Sequence, residues 1–285
     1  MSEFHRRDML ILAGLAAFAP LAAKAATARP QARLRFDGDD VQGGLVQGHI
    51  ESGERAEVWV DGNPVRADDG RFCFGFGRDA AKPVLVRVRY DGRFEEAQQV
   101  TPKKRSFRFQ RINGLPEKYV SPPKDVLDRI ARDTAIVREA RSHDSDEMWF
   151  SEKFDWPTKG PITSIYGSQR ILNGEPREPH YGVDIAGPHG EPIIAPSPGI
   201  VTLAEELYLS GNTMLLDHGH GVSTSYLHMS RMDVRVGDEL DRGQQMGLVG
   251  ATGRVTGPHL CWRLNWFQTR LDAALLAPPR MGAKA

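Results

Sequence analysis

Between Arg33 and Phe109 the apolar positions come in short runs that turn signals cut apart. Glu57-Val58-Trp59-Val60 and Val84-Leu85-Val86-Arg87-Val88-Arg89-Tyr90 are rich in β-branched and aromatic residues. Asp37-Gly38, Gly43-Gly44, Asp61-Gly62-Asn63-Pro64, Asp68-Asp69-Gly70 and Asp91-Gly92 lie between such runs. Short strands punctuated this often predict a sandwich of two sheets, and residues 30–110 are read as an immunoglobulin-like β domain. Asp61-Gly62 suits a two-residue hairpin turn, because both positions tolerate positive φ. In Arg71-Phe72-Cys73-Phe74-Gly75-Phe76 the three phenylalanines recur at period two, so they share one face and belong to a core.

The period then changes. Val126, Ile130, Val137 and Ala140 fall on one side of a 3.6-residue repeat, which predicts a helix from Ser121 to about Ser142. Ser121 is placed to cap it and Pro122 suits its first turn. This helix is expected to bridge two domains, and Ser142-His143-Asp144-Ser145-Asp146 to follow it as a solvated linker, so that residues 121–150 form a helix and linker. Strand patterns and glycine-rich turns return from Phe154 to about Leu276, with no further long amphipathic helix. The expected fold is therefore mainly β: a sandwich, a short linking helix and a compact antiparallel β domain over residues 154–276, with 277–285 as a tail.

Composition adds three constraints. Lysine plus arginine equals aspartate plus glutamate at 37 each, so no basic excess points to a nucleic-acid partner. The first residues carry Arg6 and Arg7, then an apolar stretch from Met9 to Ala23, then Ala23-Lys24-Ala25, a small-x-small site. That stretch is about 15 residues, short of the roughly 20 that span a bilayer. Residues 1–25 are thus read as a cleaved signal peptide, with Arg6-Arg7 resembling a twin-arginine export signal. A periplasmic or secreted protein, not integral to the membrane, is expected. Cys73 and Cys261 lie in different domains, and no bridge between them is expected.

The candidate chemistry lies in three strand-like segments of the second domain: His180-Tyr181-Gly182-Val183-Asp184, Ser223-Thr224-Ser225-Tyr226-Leu227-His228 and Pro258-His259-Leu260-Cys261-Trp262. Residues four or two apart on a strand share a face, so His180 can meet Asp184, and His259 lies beside Cys261. Imidazole and carboxylate are both good zinc ligands. His218, His220 and His189 sit in turns and are expected at the surface. His259 and Cys261 point the same way but not at each other, which disfavours a thiol nucleophile with its base. No Gly-x-Ser-x-Gly elbow is present.

The order of the blocks says more. Tyr166-Gly167-Ser168-Gln169-Arg170, His180-Tyr181-Gly182-Val183-Asp184, Asp217-His218-Gly219, Tyr226-Leu227-His228 and Thr256-Gly257-Pro258-His259-Leu260 follow one another. In this order they resemble the LytM/lysostaphin-type zinc metallopeptidases, from roughly Trp156 to Leu275. The resemblance implies one zinc ion per chain, with His180 and Asp184 as ligands and His228 and His259 in catalysis. It also implies that the chain hydrolyses peptide cross-links of peptidoglycan. The family's third ligand is the second histidine of a His-x-His motif, and here that position is Cys261. Thiolate is itself a good zinc ligand, but it makes the ligand set formally neutralise the ion. Two readings follow: a zinc endopeptidase, or a catalytically weak or inactive regulator whose partner is a cell-wall amidase or another envelope protein.

Overall fold

The computed structural model describes residues 34–51, 56–90, 92, 94–113 and 123–281. The signal peptide expected over residues 1–25, Ser121 and Pro122, and the end of the tail lie outside the described residues.

The first strands are β1 (Leu34–Gly38), β2 (Leu45–Ile50), β3 (Ala56–Val60), β4 (Asn63–Val65), β5 (Arg71–Gly75), β6 (Val84–Tyr90) and β7 (Phe94–Val100). They form two antiparallel sheets, β1-β2-β5 and β4-β3-β6-β7. Alternation turns Phe72, Phe74 and Phe76 toward Val58, Val60, Val86 and Val88 of the facing sheet, and all are buried. The expected sandwich is present. Its β5 differs from expectation in one respect: the opposite face is buried as well. Cys73, between the phenylalanines, packs with Leu45 into the core of the C-terminal half. The two halves therefore share apolar surface.

After β8 (Phe109–Ile112) comes α1 (Lys124–Ala140). Val137 and Ala140 pack against Leu203, Leu207 and Leu215, and Tyr208 donates its amide to Asp133 at 2.7 Å. The helix thus rests on the C-terminal sheet, and among the described residues its packing lies there and not between two domains. The Ser142–Asp146 segment is also more than a solvated linker. His143 Nδ1 and Ser145 Oγ approach Asp217 Oδ2 at 3.0 and 2.5 Å, and Arg66 binds Asp146.

The C-terminal half contains β9 (Ile162–Ser164), β10 (Gln169–Leu172), β11 (Glu175–Pro176), β12 (Val183–Ala186), β13 (Pro192–Ile194), β14 (Gly199–Leu207), β15 (Gly211–Asp217), β16 (Val222–Met229), β17 (Arg231–Met232), β18 (Glu239–Leu240), β19 (Gln245–Leu248), β20 (His259–Trp266) and β21 (Thr269–Leu271). The main sheet has the order β18-β14-β15-β16-β20-β12-β9, with β21 added to β20, and β13-β19-β17 forms a second sheet. β8 pairs in parallel with β10, so the segment leaving the sandwich is hydrogen-bonded to the C-terminal half. One face of the main sheet supplies Met214, Leu216, Tyr226, Leu260, Trp262 and Leu264 to the largest core. The side chains between them lie on the other face, and that alternation creates the site.

Candidate metal centre

β20 runs between β16 and β12, and its register sets Cys261 opposite Asp184 on one side and Leu227 on the other. Leu260 and Trp262 point into the core, so His259 and Cys261 emerge on the opposite face. His180 lies ahead of β12, not within it, so strand periodicity is not what brings it to Asp184. Its amide donates to Ser168 O at 2.8 Å, its carbonyl accepts from Gly167 N at 2.7 Å, and its Nδ1 meets Ser164 Oγ at 3.0 Å. With Nδ1 held there, Nε2 stands 3.2 Å from Asp184 Oδ1 and 3.4 Å from Cys261 Sγ. Gly182 leaves room for the sulfur: a Cβ on it would lie 2.8 Å from Sγ.

One nitrogen, one carboxylate oxygen and one sulfur, all within 4.8 Å of one another, are set to hold a metal ion. Asp184 Oδ1 is buried and makes no hydrogen bond despite its nearness to Nε2. An acceptor left unpaired in this way fits a cation ligand, because a buried polar atom normally has a partner. Burial pushes the Cys261 thiol up to about 12, while Arg263, whose Nε donates to Sγ at 3.5 Å, pulls against the rise. A cation at the ligand atoms would favour the thiolate. Burial alone would raise the Asp184 carboxyl, but the His180 and His259 rings beside it hold it well below the usual carboxylate range.

His228 and His259 stand next to this cluster with ring centroids 4.9 Å apart. His228 reaches it through a left-handed backbone, φ 67°. Such a conformation is uncommon without glycine, and here it re-aims a side chain at the end of a strand. Its Nδ1 lies 2.9 Å from Thr252 O, and His259 Nδ1 lies 2.9 Å from Gly257 O. Carbonyls only accept, so both Nδ1 atoms carry a hydrogen, and in the neutral tautomer this leaves Nε2 with the lone pair. His259 Nε2 is 3.9 Å from Asp184 Oδ1. Burial, with His259 and Arg263 nearby, lowers the His228 pKa to about 4, so this ring is neutral at pH 7.

The five sequence-predicted residues thus converge, and the model of the family described as Peptidase family M23 matches residues 178–273, which include all of them. The chain carries a peptidase family M23 domain. Over 131 residues it is 35% identical to the peptidoglycan DD-endopeptidase ShyA of Vibrio cholerae, covering 46% of this chain and 28% of that protein. Over 130 residues it is 32% identical to the cell division protein DipM of Caulobacter vibrioides, covering 45% of this chain and 20% of that one. The chain therefore spans only about a quarter of the length of these curated relatives. A crystal structure from Pseudomonas aeruginosa ascribed to peptidase M23 superimposes with a TM-score of 0.63 at 29% identity, covering 84% of this chain and 95% of that one.

Other side chains of the M23 domain depart from expectation. His218 and His220 are buried, not at the surface. His218 Nδ1 bonds Pro198 O at 2.6 Å and Nε2 meets Thr224 Oγ1 at 2.8 Å. His220 Nε2 lies 3.0 Å from Asp68 of the sandwich. Their turn is covered by the segment from Ser145 to Phe150: Phe150 N donates to His218 O at 2.9 Å, and Glu147 O lies against Gly219. His189 is exposed in its turn as expected, and Cys73 and Cys261 are both free thiols. Ser164 and Arg263 contact the ligand cluster, and sequence reasoning missed both roles. The spacing of Arg263, two residues beyond Cys261 on the same strand face, was the available signal.

Proposed function

We propose that the chain is a zinc-dependent endopeptidase that hydrolyses peptide cross-links of peptidoglycan in the cell envelope. The observation that carries this reading is the cluster of His180, Asp184 and Cys261 with two lone-pair-bearing imidazoles, His228 and His259, beside it. The name of the DD-endopeptidase ShyA supports the substrate class.

His180, Asp184 and Cys261 would hold the ion, three protein ligands being the number that leaves a catalytic position open. Zinc there supplies Lewis-acid polarisation of the scissile carbonyl and activates water. The protein supplies the rest. Ser164 fixes the His180 ring, as partners of metal-bound histidines usually do. One Nε2 of the pair His228 and His259 takes the proton of the attacking water; the other steadies charge on the carbonyl oxygen or passes a proton to the leaving amine. A neutral His228 at pH 7 is in the correct state to accept a proton. A periplasmic place of action, proposed from Arg6-Arg7 and Ala23-Lys24-Ala25, puts the site beside this substrate. Among the described residues no helix is long and apolar enough to cross a membrane.

The test is incubation of the purified chain with peptidoglycan sacculi and analysis of released muropeptides, with and without a chelator. Cleavage that stops on chelation supports the reading. A chain that holds a full equivalent of zinc and releases nothing is instead the regulator, acting through an amidase or another envelope protein.

A further inference from the structure

The face that carries Cys261 continues at two-residue spacing through Arg263 and Asn265 on β20. Their register partners on β16 are Ser225 and Ser223, which share that face. Arg170 reaches the same place from β10, just past Ser168, the residue that holds the His180 amide. Its guanidinium interacts electrostatically with Asp184, Cys261 and Arg263. Arg141, which closes α1, interacts with Arg263 in the same way.

Among the described residues Arg170 and Arg263 feel Asp184 at a distance, but none of these cations has a carboxylate in direct contact. Arg105 and Arg270 elsewhere in the chain have Asp272 and Glu178 at 2.8 and 3.0 Å. Among the described residues no carboxylate lies within ion-pair distance of Arg141, Arg170 or Arg263, and the side-chain hydrogen bond of Arg263 goes to Cys261 Sγ. The Nε atoms of Arg141 and Arg170 are buried without a hydrogen bond, as are Ser223 Oγ, Ser225 Oγ and Asn265 Nδ2. So many unpaired polar groups on one face is unusual, because burying an unpartnered guanidinium is costly. A metal ion does not supply the missing negative charge. Zinc at +2 against Asp184 and thiolate at −1 each sums to zero, which leaves the arginines in excess; without the ion, Asp184 alone opposes them.

We propose that Arg170 and Arg263, with the hydroxyl and amide groups beside them, form a binding site for a carboxylate of the substrate. The M23 domain would then select peptides that carry an anionic group close to the bond that is cut. Guanidinium suits this task, because its planar fork matches a carboxylate. The proposal rests on the endopeptidase reading and names the chemistry that reading would select.

The test is calorimetric binding of two peptides to the full zinc-loaded chain. One is a D-alanyl-cross-linked peptidoglycan peptide with free carboxylates, and the other is the same peptide with its carboxylates amidated. The free peptide is expected to bind about tenfold tighter or more, the usual size of a charge-assisted hydrogen bond. Arg170→Gln should reduce that preference to within about twofold while zinc content and melting temperature hold. Among the described residues the Arg170 side chain makes no hydrogen bond that the substitution would remove from the fold. Arg170→Lys should restore part of the preference. Equal binding of the two peptides by the parent chain, or binding of neither, overturns the proposal. So does a full preference retained in Arg170→Gln, which would assign the carboxylate to the ion. Analysis of each titrated mixture for cleavage keeps the two readings separate: binding with the expected preference but no product refutes the peptidase and leaves the carboxylate site standing.

Discussion

Gly182→Ala tests whether the metal centre depends on close packing between β12 and β20. Gly182 has no positive φ, so the effect is steric. The added Cβ would lie 2.8 Å from Cys261 Sγ, 2.9 Å from Arg263 Cγ and 3.0 Å from Trp262 O. Non-bonded carbon contacts settle near 3.5–4.0 Å, so the neighbours must retreat by roughly 0.5–1 Å. Trp262 is fully buried and its strand is hydrogen-bonded on both sides, which leaves the sulfur as the atom free to move. Overpacking of this kind costs about 1–3 kcal/mol. At about 2–4 °C per kcal/mol, the melting temperature should fall by roughly 2–12 °C. Zinc–ligand distances tolerate only about 0.2 Å, so the sulfur should leave coordinating range and zinc affinity should fall by about tenfold or more. Competition with a chromogenic chelator measures the affinity, and calorimetry of the metal-free protein measures the melting temperature. Zinc affinity within about twofold of the parent, with an unchanged melting temperature, would refute the packing argument.

Three further outcomes follow. Burial lowers the His218 pKa from 6.5 to about 4; the unfolded state therefore binds the extra proton first, and stability is complete above pH 6.5 and falls as pH drops toward 4. At 1.36 kcal/mol per pH unit the loss over that window is about 3 kcal/mol; urea unfolding of His218→Gln between pH 7.5 and 4 should show a correspondingly flatter dependence, and an unchanged slope would remove His218 from the effect. His228→Ala and His259→Ala should each keep zinc and lose about 100-fold or more in hydrolysis of sacculi; zinc loss in either would mean that ligand and catalyst are interchanged. Replacing Arg6 and Arg7 by lysine should abolish periplasmic yield, and normal yield would reject the twin-arginine route.

The residues of the candidate centre were legible because the chemistry requires types that stand out: three histidines, an aspartate and a cysteine in a fixed order of blocks. The alternation on β20 placed His259 and Cys261 correctly, since period two follows from the strand alone. His180 was placed for the wrong reason. Its position depends on a hydrogen bond from the Gly167 amide and one to the Ser168 carbonyl, and no local pattern encodes a partner more than ten residues away. His218 and His220 were misread for a similar cause. A glycine-flanked turn reads as surface until another segment covers it, and here the chain around Glu147 does so. Cys73 shows the same limit in the sandwich, because period two identifies a buried face but says nothing of what packs on the other. The arginines left without carboxylate partners were not legible at all, since pairing depends on which strands become neighbours.

His180, Asp184 and Cys261 are proposed to hold one zinc ion, and the zinc content of Cys261→Ala tests this. Parent and variant are purified in parallel, equilibrated with equal zinc, desalted and analysed for metal by mass spectrometry, with circular dichroism to confirm the fold. One equivalent is expected in the parent and Cys261→His, and almost none in Cys261→Ala. A full equivalent in folded Cys261→Ala would contradict it.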